Sequence, residues 1–209
     1  PALEEHTHPD ENNFLHFCHN RGGGTFKYIL DTVKKNNLSH HFLVYPDKES
    51  NYILISELID NKTDIVKIKL TLSELASNKY NIFEKLNIKK IFLHSLIDFP
   101  EYGLAGKISE ILSKGTSSIV VHDYHWLSQN ECLLDHKNQY VGLVNSQTYE
   151  NLETIFIREI NNQKVFNESK ETYLKRMNKI LNSANKIICP SYSAFNLMRE
   201  IHKNLNYEI

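Results

Sequence analysis

The chain of 209 residues carries 24 basic and 25 acidic side chains, and 41% of its residues are hydrophobic against 23% charged. This balance excludes a disordered chain and a dedicated nucleic-acid binder, which needs a basic footprint. A chain this long can bury a core without disulfides or metal, and no apolar run approaches the roughly 20 residues of a membrane span.

The polar, acidic start "PALEEHTHPDENN" does not read as a signal peptide. Residues 1–12 are expected to be a flexible leader and residues 13–209 a single domain, since no repeat, low-complexity segment or linker interrupts them. "NFLHFCH" (13–19) is a short apolar run ending at glycines, the mark of a buried strand. Phe26, Ile29, Leu30 and Val33 follow at helical spacing, with Lys27, Asp31, Lys34 and Lys35 on the other face. "HHFLVYP" (40–46) is a second strand, stopped by Pro46; its paired His40 and His41 read as surface histidines. "NYILISEL" (51–58) and "DIVKIKL" (64–70) form a hairpin or strand pair at the sheet edge.

"SELASNKYNIFEKL" (73–86) is helical with a break near Asn78, and "IKKIFLHS" (88–95) is a strand. "YGLAGKISEILSKG" (102–115) buries Leu104, Ile108, Ile111 and Leu112, with Gly115 expected as its C-cap. "SSIVVHD" (117–123) is the next strand, and an irregular section runs from Tyr124 to about Gln147. A polar helix covers Glu168 to Asn182, "KIICPS" (186–191) is a last short strand, and "SAFNLMREIHK" closes as a helix with Ser193 as N-cap. This alternation predicts an α/β fold: one Rossmann-like domain with a mainly parallel sheet flanked by helices.

Cys18, Cys132 and Cys189 are odd in number and far apart, and no CxxC pair exists. They read as free thiols in a reducing compartment, two of them buried.

In a parallel sheet, ligands sit beyond the carboxyl ends of the strands, near helix N-termini. Gly22, Gly23 and Gly24 occupy such a place between the first strand and the first helix. Two readings stay open: a loop whose free amides and helix dipole hold a phosphate or sugar, or a tight turn with no ligand. The spacing is neither GxGxxG nor a Walker loop. Two later strands end in His94 with Ser95 and in His122 with Asp123, so a parallel sheet would gather these features on one rim. Trp126, the only tryptophan, either stacks on a sugar ring or plugs the core. His122, Asp123 and His125 are a weak metal set, because ligands three apart on a strand diverge and a third partner is missing.

The order of "HNRGGGTFKYILDTV", "IFLHSLIDFPEYGLAGKISEIL", "SIVVHDYHWLSQNECLLDHKNQYVG" and "ILNSANKIICPSYSAFNLMREI" resembles the N-terminal half of retaining GT-B glycosyltransferases of family four. The resemblance spans residue 13 to the end and implies half of a GT-B fold, the acceptor-side domain. It places Gly22, Gly23, Gly24 and Thr25 at the donor-phosphate side and makes His122 the catalytic-site residue that contacts the donor sugar. His94, Asp123, Tyr124, His125 and Trp126 become acceptor-side candidates, and Pro190 with Ser191 match the family's "PS".

The implied reaction is transfer of a sugar from a nucleotide-sugar donor to a glycan or lipid-linked acceptor with retention. It implies no cofactor, no metal, no nucleic acid and a cytoplasmic location. "HWLSQN" after Tyr124 departs from the Cys-Pro-Arg of many relatives, so the acceptor wall differs. The C-terminal donor domain is expected to be absent from this chain, leaving the isolated domain inactive. The alternative is a non-catalytic interaction module pairing with a separate donor-binding chain. For the 168–182 helix a solvated face is preferred over a peripheral contact with the inner face of a membrane, because Glu168 and Glu171 dilute its basic charge.

Overall fold

Five buried residues in a row, Asn13–Phe17, form strand β1, as expected of a strand covered on both faces. The computed structural model describes residues 12–19, 23–47, 49–59, 62–63, 68–100, 103–128, 157–160, 163–167 and 169–209. The expected leader up to residue 11, Gly22, Cys132 and the irregular section beyond Ser128 lie outside them. Helix α1 (Gly23–Lys35) follows, then β2 (His41–Pro46) and β3 (Tyr52–Ile59). β3 carries β4 (Lys62–Thr63) and β5 (Ile68–Thr71) on its outer edge, both antiparallel.

Helix α2 (Leu72–Ala76) starts with a capping box between Thr71 and Glu74. It is separated from α3 (Ile82–Lys85) by left-handed Asn78, at the expected break. Strand β6 (Ile88–Leu93), helix α4 (Leu104–Leu112) and strand β7 (Thr116–Val120) come next. A 3-10 turn at Tyr124–Trp126 is followed by an antiparallel ribbon of β8 (Ile157–Ile160) and β9 (Gln163–Asn167), which the sequence pattern did not announce. Helix α5 (Lys170–Leu181), strand β10 (Lys186–Ile188), helix α6 (Tyr192–Ile201) and strand β11 (Tyr207–Glu208) complete the described chain.

The main sheet runs β11-β10-β7-β6-β1-β2-β3. Every pair from β11 to β2 is parallel, and β3 joins antiparallel. The fold is therefore α/β with a mainly parallel sheet, compatible with a Rossmann-like architecture. From β1 the chain moves one way to β2, then returns to β6 on the other side and continues outward through β7 and β10. Right-handed crossovers put helices on opposite faces when the direction reverses. The packing agrees: Leu15, Phe17, Ile91, Leu93 and Ile119 share a core with α2, α4, α5 and α6, while Ile29 of α1 packs on Cys18, Leu43 and Tyr45.

Two end signals act differently from expectation. Helix α6 is capped by Ser191, not Ser193: Ser191 is extended, which turns its hydroxyl back to accept from the Ala194 amide at 3.2 Å. Gly115 does not cap α4, whose C-cap is Ser113. A Cβ at Gly115 would lie 3.0 Å from the Lys89 carbonyl oxygen, so its glycine serves the close approach of β7 to β6. Tyr173, Met177, Ile180 and Leu181 of α5 are buried, so its apolar stripe faces the core. Cys18 and Cys189 are buried free thiols, both pushed up by burial, to about 12 and about 11. Among the described residues no helix is long and apolar enough to cross a membrane.

Candidate functional site

Side chains alternate between the faces of a strand, and the apolar core fixes which parity faces α1. Leu15 and Phe17 point to the α4 side, so His16 points to α1. The same rule sends His41, His94 and His122 to the α1 face, because Phe42, Leu93 and Val121 belong to the opposite core. Register then staggers them. Phe14 lies opposite His41, and His16 opposite Phe92. Leu93 lies opposite Ile119, so His94 is one residue past that pair and His122 three. Each imidazole thus stands two residues further along its strand than the one before. The four climb diagonally from the start of β2, across β1 and β6, to just past the end of β7. Diagonal neighbours two residues out of register are within reach of long or aromatic side chains.

The rings are joined by hydrogen bonds. His41 Nε2 lies 3.3 Å from the Asn36 carbonyl oxygen, and His41 Nδ1 is 2.9 Å from His16 Nε2. His16 Nδ1 is 3.1 Å from His94 Nε2, and His94 Nδ1 is 3.0 Å from His122 Nε2. Neighbouring rings are stacked with interplanar angles of 21° to 26°. Phe14 and Phe92 flank the row, and the Tyr28 ring of α1 meets His122 edge-on with centroids 4.9 Å apart.

His16 and His94 are 0% exposed and His41 1%. Burial disfavours the charged form. It holds His16 down at about 3, with His41 adding to the effect, and pushes His94 well below the usual histidine range. His41 is lowered by burial, against the raising effect of the Asn36 carbonyl. Burial, with nearby His19, brings His122 to about 4. All four rings are therefore neutral near pH 7.

This row ends at the carboxyl rim, beside the crevice between β1 and β6 where the strand order reverses. The rim is closed by backbone bonds from the His94 amide to Phe17 (2.9 Å) and from Val121 to Ile188 (2.9 Å). Gly23 opens α1 with φ +79°, a conformation that favours glycine, and nothing lies within 4 Å of where a Cβ of Gly23 or Gly24 would stand. Thr25 is buried. On the other side of His122, a cleft of about 220 Å³ is lined by residues that include His122, Asp123, Tyr124, Ser191, Ala194 and Leu197.

The turn after His122 is pinned from below. The Asp123 carboxylate accepts from the His125 amide at 2.9 Å. The Tyr173 hydroxyl of α5 donates to the carbonyls of His125 and Ser128, the latter at 3.0 Å. His202 Nε2 donates to the Trp126 carbonyl at 2.9 Å. Trp126 is 0% exposed, which decides between its two readings: it plugs the core. A Tyr173→Phe variant keeps the ring and removes the one hydroxyl hydrogen that the two carbonyls share. It should cost about 1–3 kcal/mol and speed amide exchange at Leu127 and Ser128, both measurable by melting and deuterium uptake; unchanged exchange would show that the turn holds itself.

The expected rim thus gathers Gly23, Gly24, Thr25, His94 and His122, with Asp123 and Tyr124 on the cleft. His94 is sealed inside and reaches the cleft only through His122. His41 corrects the surface reading of the His-His pair: it is buried against Phe14, while His40 faces Glu57 Oε1 at 2.5 Å. The parity of His41 with Leu43 and Tyr45 was the available signal. His16, Tyr28, Tyr173 and His202 were missed because their partners lie 25 to 78 residues away for the bonds of His16, and comparably far for the others. No family model, no curated protein and no solved structure matches the chain.

Proposed function

We propose that this chain is the acceptor-side, N-terminal half of a retaining GT-B glycosyltransferase, which moves a sugar from a nucleotide-sugar to a glycan or lipid-linked acceptor. One observation carries the reading. A glycine-led helix start after β1 and a neutral His122 just past the end of β7 stand on one carboxyl rim, on the α1 face of a sheet whose strand order reverses at β1, and open α/β sheets take their ligands at such a rim. The residue order of the family meets the same positions.

Each group then has a role. The amides opening α1 at Gly23, Gly24 and Thr25 face an accumulating negative charge on the leaving diphosphate, an electrostatic contribution. His122 orients the donor sugar through a hydrogen bond. The anomeric carbon–oxygen bond to the diphosphate breaks, the acceptor oxygen bonds to that carbon on the same face, and the acceptor proton passes to the departing phosphate oxygen. No protein nucleophile is required. The 220 Å³ cleft is smaller than the ~300–1,000 Å³ of a whole ligand pocket, as suits one wall of a site whose other wall is a donor domain.

The test is His122→Ala in the whole protein, with transfer from a panel of nucleotide-sugars and melting temperature measured together. Transfer should fall roughly 10²-fold or more, while stability holds because water replaces the ring at the partly open end of the row. Transfer at the parent rate removes His122 from the site, and the absence of transfer from any nucleotide-sugar by the parent protein removes the reading.

A further inference from the structure

The row of imidazoles has a direction, and the direction is set by its buried end. A backbone carbonyl accepts and never donates, so His41 Nε2, facing the Asn36 oxygen at 3.3 Å, carries the hydrogen. A neutral imidazole has one N–H. His41 Nδ1 is therefore a bare acceptor, and the hydrogen between it and His16 sits on His16 Nε2. His16 Nδ1 is bare in turn and takes the Nε2–H of His94. His94 Nδ1 then takes the Nε2–H of His122. The opposite direction would set a bare His41 Nε2 lone pair against the carbonyl oxygen, acceptor against acceptor. The rule leaves one nitrogen of the row uncommitted: Nδ1 of His122, a lone pair with no hydrogen-bond partner among the described residues, on a residue that lines the cleft. The rings do not form a metal cage, since each nitrogen faces a different neighbour and no three converge.

We propose that His94, His16 and His41 are positioning residues that hold His122 in the Nε2–H tautomer, so that its Nδ1 offers the carboxyl rim a fixed acceptor for an uncharged hydroxyl or N–H of the ligand. The same lone pair repels a phosphate or carboxylate oxygen. The ligand half of this inference rests on the proposed sugar-binding reading; the tautomer half does not. It divides the rim into two chemistries: donors at the amides that open α1, suited to an anion, and an acceptor at His122, suited to a sugar hydroxyl. A buried row also explains how a partly exposed histidine keeps one tautomer, which in water it would exchange freely.

The test is side-chain nitrogen–proton NMR on the ¹⁵N-labelled chain at pH 7, with the His122 signals assigned by their loss in His122→Asn. All four rings should show a protonated Nε2 and a bare Nδ1, with nitrogen–nitrogen couplings across the three inter-ring hydrogen bonds. A protonated Nδ1 on His122, or missing couplings, overturns the proposal without any variant. His41→Phe keeps a ring beside Phe14 and removes the anchor. Where its amide spectrum shows the fold retained, His122 should become a mixture of tautomers; an unchanged tautomer overturns the positioning role. In ligand titrations, a neutral methyl hexoside should move the His122 Nδ1 signal and inorganic phosphate should not. A response to phosphate, or none to the hexosides, overturns the ligand half and leaves the tautomer result standing, so the two failures are distinguishable.

Discussion

Between pH 7 and pH 5 the chain should lose a large part of its stability, well before its carboxylates titrate. The folded state holds His16, at about 3, and His94 below the ordinary value of 6.5 through burial. His41, His122 and His202 are shifted the same way. A depressed histidine means that the unfolded chain binds more protons below its own pKa, so stability is full above about 6.5 and falls as pH drops toward the folded values. At pH 5 the unfolded chain has gained about 1.5 pH units of protonation at His16, about 2 kcal/mol at 1.36 kcal/mol per unit. His94, as deeply buried, acts in the same sense. About 2 kcal/mol from His16 alone is a large share of the stability of a domain near the low end of the usual 5–15 kcal/mol, and at this chain length corresponds to a melting-point drop of roughly 4–8 °C. The depressed carboxyls act in another window: Asp47, held at about 2 by Lys69, and Glu74, held at about 2 by the Thr71 amide, stay ionised until pH falls below 4. A melting temperature that is flat from pH 7 to pH 5 would contradict the buried neutral row.

His16→Leu should be far more damaging than its modest change of volume suggests. The ring is the middle link, and removing it strands two groups in the interior: the Nε2–H of His94 and the bare Nδ1 of His41. Each buried group without a partner costs about 1–3 kcal/mol, so the variant should lose about 2–6 kcal/mol in denaturant unfolding. Replacing all partners together is a different experiment. With His16→Leu, His41→Leu and His94→Leu combined, the Asn36 carbonyl still accepts from the Ser39 amide at 3.1 Å, and of the row's own groups only the His122 Nε2–H is left open, on a partly exposed residue at the rim within reach of water. The triple variant should recover most of the single variant's loss, and its stability should no longer fall so steeply between pH 7 and pH 5. If each added leucine instead lowered stability by a further step of similar size, ring packing and not hydrogen bonding would be holding the row.

Much of this architecture was legible in the residues. The buried runs 13–17 and 41–46, the edge pair, the break at Asn78 and the core stripe of α5 all follow from local period and propensity, which depend on neighbours a few positions away. So does the suspicion of a rim at His94 and His122, because strand ends can be read from where apolar runs stop. The cap at Ser191 and the use of Gly115 were misread because each depends on a single backbone torsion or a single neighbour across the sheet. His41 was misplaced for a related reason: two adjacent histidines at a strand start point to opposite faces, and only the faces' occupants tell which is inside.

What the amino-acid order determined by itself is a mainly parallel α/β chain with polar groups at the ends of two central strands, since alternation and periodicity are local properties. What the tertiary structure decided is that four histidines from four strands line up in one direction. That outcome depends on register: parallel pairing staggers them by two residues per strand, and only at that offset does each ring nitrogen meet the next. A shift of one residue in any pair would turn the ring to the other face, and the row, with the acceptor it presents at His122, would not exist.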